Sequence, residues 1–261
     1  KTLFVSMFII AESGSTKTDW VVIDDKGNVS DYHSAGMNPA VMREFPDLSE
    51  CQGLLSGFQM AESIFFYGAG VSDQSAKKKL ETFFRSNGFS GRLFAEGDML
   101  AAARALCGNE AGIACILGTG SNSCVYDGNR ITSKIPSLGY IIGDEGGGVH
   151  FGKEILRSYF YRTMPEDVHL AFENKYHLNL EDLITNVYQG EAPNRYIASF
   201  TEFIVEINSP WKTALAEKVL NEFVVSRILC FKENKSLKVH FAGSIAYHFR
   251  EYLLRILNKY G

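Results

Sequence analysis

Ile113-Ala114-Cys115-Ile116-Leu117, then Gly118-Thr119-Gly120-Ser121, then Asn122-Ser123-Cys124-Val125-Tyr126, then Asp127-Gly128-Asn129 leading into Arg130–Ser133: the reading of this run decides the fold. An apolar strand, a small-residue turn, a second strand, an Asp/Gly/Asn turn and a third strand make a β-meander, because Gly and Asn accept the backbone that tight hairpins need. The same order stands about 100 residues earlier. Leu3–Glu12 reads as a buried strand, Ser13–Thr18 as a small-residue turn, and Asp19–Asp24, with Trp20-Val21-Val22-Ile23, as a second strand. Asp25-Lys26-Gly27-Asn28 then turns into Val29–Ser34. The two stretches match in the order of their elements rather than in identity, so they form an internal structural repeat.

Outward from the meanders the pattern becomes α/β. Ser63–Tyr67 reads as a strand ending at Gly68-Ala69-Gly70. A helix over Gln74–Asn87 follows, with Asp73 placed to cap its start and Gly88 just past its end. Leu93–Ala95 is a short strand, and Asp98 opens an Ala/Leu-rich helix over Met99–Cys107. Beyond Gly146 helices are expected at Gly148–Met164, Glu166–Tyr176, Leu180–Gln189, Asn194–Ile207 and Trp211–Lys232, with Gly190 and Pro210 as breaks. Leu237–Phe241 is a strand ending in Ala242-Gly243-Ser244. A last helix, Ile245–Tyr260, carries Phe249, Leu253 and Ile256 at helical spacing. Two repeated meanders predict two domains, residues 1–97 and 98–261, facing each other.

Composition narrows the function classes. Apolar residues at 46% and charged residues at 21% of 261 describe a globular chain rather than a disordered one. With 30 acidic and 26 basic residues the net charge is −4, which argues against wholesale electrostatic binding of nucleic acid or an anionic membrane. The apolar run from Leu3 to Ala11, interrupted by Ser6, is far shorter than the roughly 20 residues of a membrane span. Lys1 followed by that run has the outline of a short secretory signal, but it leads straight into the Ser13–Thr18 turn and is read as a first strand. Cys51, Cys107, Cys115, Cys124 and Cys230 form no CxxC pair, so scattered thiols in a reducing cytoplasm are expected. The six histidines form no ligand-spaced pair.

The candidate chemistry sits in the turns. Glu12-Ser13-Gly14-Ser15-Thr16-Lys17-Thr18 lacks P-loop spacing and is followed by a strand rather than a helix. A Gly/Ser/Thr hairpin tip still offers close backbone approach, N–H groups and hydroxyls to a phosphate. Taken alone it reads as a solvated turn. Gly118-Thr119-Gly120-Ser121 repeats that chemistry at the equivalent place, and two such tips facing across a cleft can clamp a triphosphate. Gly243-Ser244, between strand and helix, suits an adenosine or ribose contact and equally a plain tight turn. Asp98, at a strand end and helix start, reads as an N-cap, a role compatible with catalysis. Asp144 and Glu145, inside Gly143-Asp144-Glu145-Gly146-Gly147-Gly148, suit hydrogen bonding to sugar hydroxyls or work near Mg²⁺.

Read together, Ser13–Trp20, Gly36-Met37-Asn38-Pro39, Phe66–Gly70, Asp98–Arg104, Leu117–Ser123, Leu138-Gly139-Tyr140 with Gly143–Gly146, and Gly243–Tyr247 resemble, in order, the motifs of N-acetylglucosamine-kinase-like members of the BadF/BadG/BcrA/BcrD ATPase family, within the actin/hexokinase superfamily. The resemblance runs from about residue 8 to 250. It implies an α/β fold of two ribonuclease-H-like domains around an ATP cleft, and an ATP- and Mg²⁺-dependent kinase acting on a hydroxyl, the 6-hydroxyl by analogy, of an amino sugar such as N-acetylglucosamine or glucosamine. It makes Gly14, Ser15, Thr16, Lys17 and Thr18 one phosphate hairpin and Gly118, Thr119, Gly120 and Ser121 the other, with Gly243 and Ser244 at the adenosine. It assigns Asn38, Gly139, Tyr140, Asp144 and Glu145 to the sugar, Asp98 to the general base, and Glu12 to Mg²⁺, through water. A small-molecule substrate and a homodimer are implied, and neither nucleic acid nor membrane. The chain departs from the family in three places: members usually carry Asp at Glu12, the animal enzymes carry Trp at Leu138, and members usually continue past the helix that here ends at Gly261.

Two other functions share these motifs. Dehydratase activators of the same superfamily bind an iron–sulfur cluster through cysteines, one just before a Gly-Thr-Gly; Cys115 precedes Gly118, yet it reads as mid-strand and no cysteine lies between Cys124 and Cys230. A non-catalytic sugar or nucleotide sensor is the other, supported by Glu12 and the short C-terminus.

Overall fold

The computed structural model describes residues 6–14, 17–71 and 73–261. The chain divides into two compact units, Lys1–Ala101 and Ala102–Gly261. In the first, the elements run β1 (Phe8–Ser13), β2 (Lys17–Ile23), β3 (Val29–Ala35), α1 (Gln52–Met60), β4 (Ser63–Gly68), α2 (Gln74–Ser86), β5 (Arg92–Gly97) and α3 (Asp98–Cys107), the last crossing into the second unit. The sheet order is β3-β2-β1-β4-β5: β1, β2 and β3 pair antiparallel, and β4 and β5 join parallel. The expected meander is therefore one half of a mixed sheet. Alternation does the sorting. Thr18, Trp20 and Val22 point into the core while Lys17 and Asp19 lie on the opposite face. Trp20 anchors that core against Phe58 (centroids 5.7 Å apart) and Phe84 (6.1 Å, edge-on).

Helix α2 matches its predicted ends. Asp73 Oδ1 accepts from Ala76 N at 2.8 Å. Gly88 takes φ +88°, and Gly88 N and Phe89 N donate back to Arg85 O and Phe84 O at 3.1 and 3.0 Å, a Schellman closure. Helix α1 was not foreseen. Its N-cap, Cys51, makes no capping bond, and Gly53 and Gly57 interrupt it; burial of Leu54 and Phe58 holds it instead.

The second unit runs β6 (Ala111–Leu117), β7 (Ser121–Asp127), β8 (Ile131–Lys134), α4 (Gly139–Ile142), α5 (Gly148–Phe160), α6 (Glu166–Tyr176), α7 (Leu180–Tyr188), α8 (Pro193–Ser199), α9 (Thr201–Glu206), α10 (Pro210–Arg227), β9 (Val239–Ala242), α11 (Ser244–His248) and α12 (Arg250–Tyr260). Its sheet, β8-β7-β6-β9, repeats the first four positions of the other: an antiparallel meander with β9 parallel to β6. The repeat read from the order of elements is thus a repeat of strand topology. Four helical expectations change. The helix expected to reach Met164 ends at Phe160. Asn194–Ile207 is two helices meeting at Phe200, and Ile245–Tyr260 breaks at Phe249, whose backbone (φ −109°, ψ 20°) leaves the helical region while its ring stacks on Phe151 at 4.7 Å. The helix expected to reach Lys232 ends at Arg227. Single-turn α4 had no counterpart among the expected elements. No helix among the described residues is long and apolar enough to cross a membrane.

Candidate active site

In the first unit β1, β4 and β5 are parallel, so Ser13, Gly68 and Gly97 end at one edge of the sheet, and Asp98 follows there as the first residue of α3. Carboxyl ends of parallel strands are where α/β sheets place ligands. Asp98 Oδ1 accepts from Met99 N at 2.8 Å. Glu12 lies in register opposite Asp19. Partial desolvation, then repulsion from Asp98 and Asp19, holds the Glu12 carboxyl above its usual range, with Lys17 opposing; the side chain nonetheless reaches the surface, so the effect is a modest one. Lys17 Nζ meets Asp19 Oδ2 at 2.7 Å, which lowers the Asp19 carboxyl, and His33 Nδ1 meets Asp19 Oδ1, also at 2.7 Å. Among the described residues no three His, Cys, Asp or Glu side chains form a metal cage.

The β1–β2 turn is closed by Gly14 N donating to Lys17 O at 3.0 Å; Ser15 and Thr16 lie outside the described residues. Thr18 corrects an expectation. Its hydroxyl is fully buried, lies 2.8 Å from Ser13 Oγ and donates to Ala35 O at 3.1 Å, so it braces the hairpin from within and does not face a phosphate. The alternation that points Trp20 inward points Thr18 inward too. Asn38 Oδ1 accepts from Ala40 N at 3.0 Å, and Gly70 (φ +78°) packs over it so closely that a Cβ would come within 2.0 Å of that oxygen.

In the second unit one backbone knot joins several expected residues. Gly118 N donates to Gly120 O at 3.0 Å; the first amides of α5, Gly148 N and Val149 N, donate to Gly118 O and Thr119 O at 2.8 and 2.9 Å. Asp144, only 9% exposed and at φ 62°, accepts from Ser121 N through Oδ1 at 3.2 Å. A Cβ on Gly120 would meet the Asp144 carboxylate at 2.7 Å, and one on Gly147 would meet the Gly120 carbonyl carbon at the same distance. Ser121 is 5% exposed and its Oγ has no hydrogen-bond partner among the described residues. Gly243 (φ +107°) abuts Leu117 O, where a Cβ would stand 2.2 Å away, and this brings Ser244 beside the turn. Gly118, Thr119 and Ser244 accordingly line one cavity of about 410 Å³, together with Thr201, Glu202 and His248. Gly139 takes φ +71°, and the Tyr140 carbonyl accepts from Lys153 Nζ.

Glu145 is the second correction. Its Oε2 accepts from Arg227 Nε and Nη2 at 2.8 and 2.6 Å, and Arg227, 2% exposed, also donates to Pro136 O at 2.9 Å. A buried guanidinium requires a counterion, and Glu145 supplies it rather than reaching for a sugar. Arg227 escaped the sequence reading; its signal was one cation in the apolar stretch Phe223-Val224-Val225-Ser226-Arg227-Ile228-Leu229. His150, which accepts from Gly146 N, was also missed. Cys115 is mid-strand and fully buried, and burial pushes its thiol well above the usual range, so it is not placed to ligate a cluster.

No family model matches the chain. Over 196 residues, 68% of the chain, it is 29% identical to an N-acetylmuramic acid/N-acetylglucosamine kinase of Clostridium acetobutylicum, and it spans 62% of that protein's length. It is 37% identical to a protein of Porphyromonas gingivalis whose crystal structure is described as a candidate N-acetylglucosamine kinase, covering 98% of this chain and 92% of that one with a TM-score of 0.86. A Chromobacterium violaceum protein described in the same way shares the fold at 17% identity and a TM-score of 0.69, covering 95% and 91% of the two chains.

Proposed function

The chain belongs to the N-acetylglucosamine-kinase-like family, and from that premise we propose that it transfers the γ-phosphoryl group of ATP to a hydroxyl, the 6-hydroxyl, of an amino sugar, in the cytoplasm where ATP is made. The observation that carries this reading is the bond between Ser121 N and Asp144. It ties a phosphate-type turn, with an unpartnered buried hydroxyl and open space at Gly118, to a buried carboxylate of the kind that orients polyols.

The residues divide the work as follows. The Gly118–Ser121 turn, through its backbone at Thr119-Gly120 and the exposed Thr119 hydroxyl, receives phosphate oxygens, and Ser244 at the shared cavity receives the adenosine end. In the first unit the Gly14 hairpin and Lys17 make a second phosphate-type turn, in which Lys17 exchanges Asp19 for phosphate. Asp144, the amide nitrogen of Asn38 and the backbone at Gly139-Tyr140 orient the sugar. Asp98 accepts the proton of the attacking hydroxyl; a carboxylate suffices, since positioning and charge neutralisation dominate phosphoryl transfer. Glu12 would hold a Mg²⁺ through water, and the ion would supply neutralisation of the charge on the transferred group.

The test is an ADP-release screen over hexoses, N-acetylglucosamine, glucosamine and N-acetylmuramic acid, with the product's phosphorylated carbon assigned by NMR. Turnover confined to amino sugars supports the reading. Tight sugar binding with no ADP release points to a sensor, and ATP hydrolysis indifferent to every sugar overturns the kinase assignment.

A further inference from the structure

Gly146 stands in a left-handed conformation (φ +77°), wedged so that a Cβ would lie 2.5 Å from Phe223 Cβ. Its N–H donates to His150 Nδ1 at 3.1 Å. A ring nitrogen that accepts from an amide carries no proton. The imidazole is therefore neutral, with its proton on Nε2, which looks toward Glu222 Oε2 at 3.6 Å. Two residues upstream, Asp144 is a non-glycine at φ 62°. Such a conformation persists only where neighbours over-determine it. Here the pins are Ser121 N on its carboxylate, Gly147 N on its carbonyl at 3.0 Å, and the Gly146–His150 bond. Behind the loop lies a cavity of about 450 Å³ lined by Ile142, Gly143, Glu145, His150 and Lys153 among others. Phe223 packs against Gly146 and Arg227 holds Glu145, while on the side that faces the cavity hydrogen bonds carry more of the restraint.

We propose that His150 is a positioning residue for sugar binding: in its neutral form it pins the Gly143–Gly147 loop through Gly146 N–H and so holds Asp144 in its binding conformation, and protonation releases the pin. A protonated Nδ1 would present a donor to a donor. The groups around the ring are Glu222 and Lys218 on α10, Lys153 on α5 and Glu145 in the loop. Burial, aided by Lys153 and Lys218 and opposed by Glu222 and Glu145, keeps the imidazole below its usual range, so the pin is set at neutral pH and lost on the acid side.

This rests on the kinase reading, and two measurements separate the two. The first is the sugar KM and kcat from pH 5 to 8 for the full chain and for His150→Ala and His150→Asn. Asparagine offers Oδ1 near the position of Nδ1 but does not titrate. Expected are a sugar KM raised about tenfold in His150→Ala with kcat changed far less, a wild-type KM that rises below neutrality, and a His150→Asn KM near wild type with that acid rise removed. The second needs no activity: hydrogen–deuterium exchange of the Gly146 amide, corrected for intrinsic rate, should accelerate in His150→Ala and in acidified wild type but not in His150→Asn. Unchanged Gly146 protection in His150→Ala, or an acid rise in KM that survives His150→Asn, overturns the inference whatever the substrate. A chain that phosphorylates no sugar but shows the exchange pattern keeps the pin and removes the kinase.

Discussion

Arg227 and Glu145, 82 residues apart in the chain, meet inside the second unit, where two guanidinium nitrogens converge on one carboxylate oxygen at 2.8 and 2.6 Å. This contact ties the end of α10 to the loop that presents Asp144. Arg227→Ala leaves the carboxylate without its counterion and Pro136 O without its donor. A loss of about 3–5 kcal/mol in unfolding free energy is expected in urea titrations. The paired change Arg227→Met with Glu145→Gln should be milder than Arg227→Ala, because no charge is then stranded. A double variant as unstable as the single one would mean that packing, not charge, is what Arg227 provides.

Asp98→Asn keeps the shape of the side chain and the bond to Met99 N, so the variant should fold with unchanged Tm. It cannot take a proton from the acceptor, and sugar phosphorylation should fall by roughly two to four orders of magnitude. Near-normal turnover in a coupled ADP assay would remove Asp98 from the chemistry.

Gly70→Ala places a methyl group where Asn38 Oδ1 now lies, at a backbone angle (φ +78°) unfavourable for any Cβ. The strain should cost about 1–3 kcal/mol of stability. Displacement of Asn38 should raise the sugar KM while leaving the ATP KM nearly unchanged. An effect confined to ATP would place Asn38 outside the sugar pocket.

Glu12 carries a pH signature. Its folded carboxyl titrates above the ordinary 4.5, so the unfolded chain releases this proton first and the ionised group opposes folding. The contribution is harmless below about pH 4.5 and grows as pH rises through the raised value. Glu12→Gln should therefore have a higher Tm than wild type at pH 7 without nucleotide, and the gap should close toward pH 4. Equal melting curves across that range would show that neither burial nor repulsion from Asp98 and Asp19 holds the Glu12 carboxyl up.

Thiol labelling distinguishes the cysteines. Cys230 is exposed, whereas Cys115 is fully buried with its thiol pushed well up. Iodoacetamide on the native chain, read by mass spectrometry, should modify Cys230 and spare Cys115. Early alkylation of Cys115 would reopen the iron–sulfur reading.

Local signals carried most of the fold. The meanders were legible because Asp-Lys-Gly-Asn and Asp-Gly-Asn turns separate runs of strand formers, and α2 because Asp73 and Gly88 mark both ends. Helix α1 was hidden because its stability comes from Leu54 and Phe58 in the core, with no cap and two glycines in its own sequence. The breaks at Phe200 and Phe249 are likewise tertiary, the second fixed by a ring stacked on Phe151. In the candidate site the Gly118–Ser121 turn was legible from its repeat, whereas the pairing of Glu145 with Arg227 was not, because the two lie far apart in sequence. Thr18 could have been read correctly. Its parity with Trp20 and Val22 places it on the inner face of β2.

The contact between Gly147 and Gly120 limits how this scaffold can be re-engineered. No side chain fits at either position, because one would collide with carbonyl atoms and the other with the Asp144 carboxylate. Variation in acceptor preference is thereby steered outward to neighbours with room to change, such as Leu138, more than half exposed at the mouth of the Gly139 turn. A library aimed at new acceptors would randomise there and leave the paired glycines untouched.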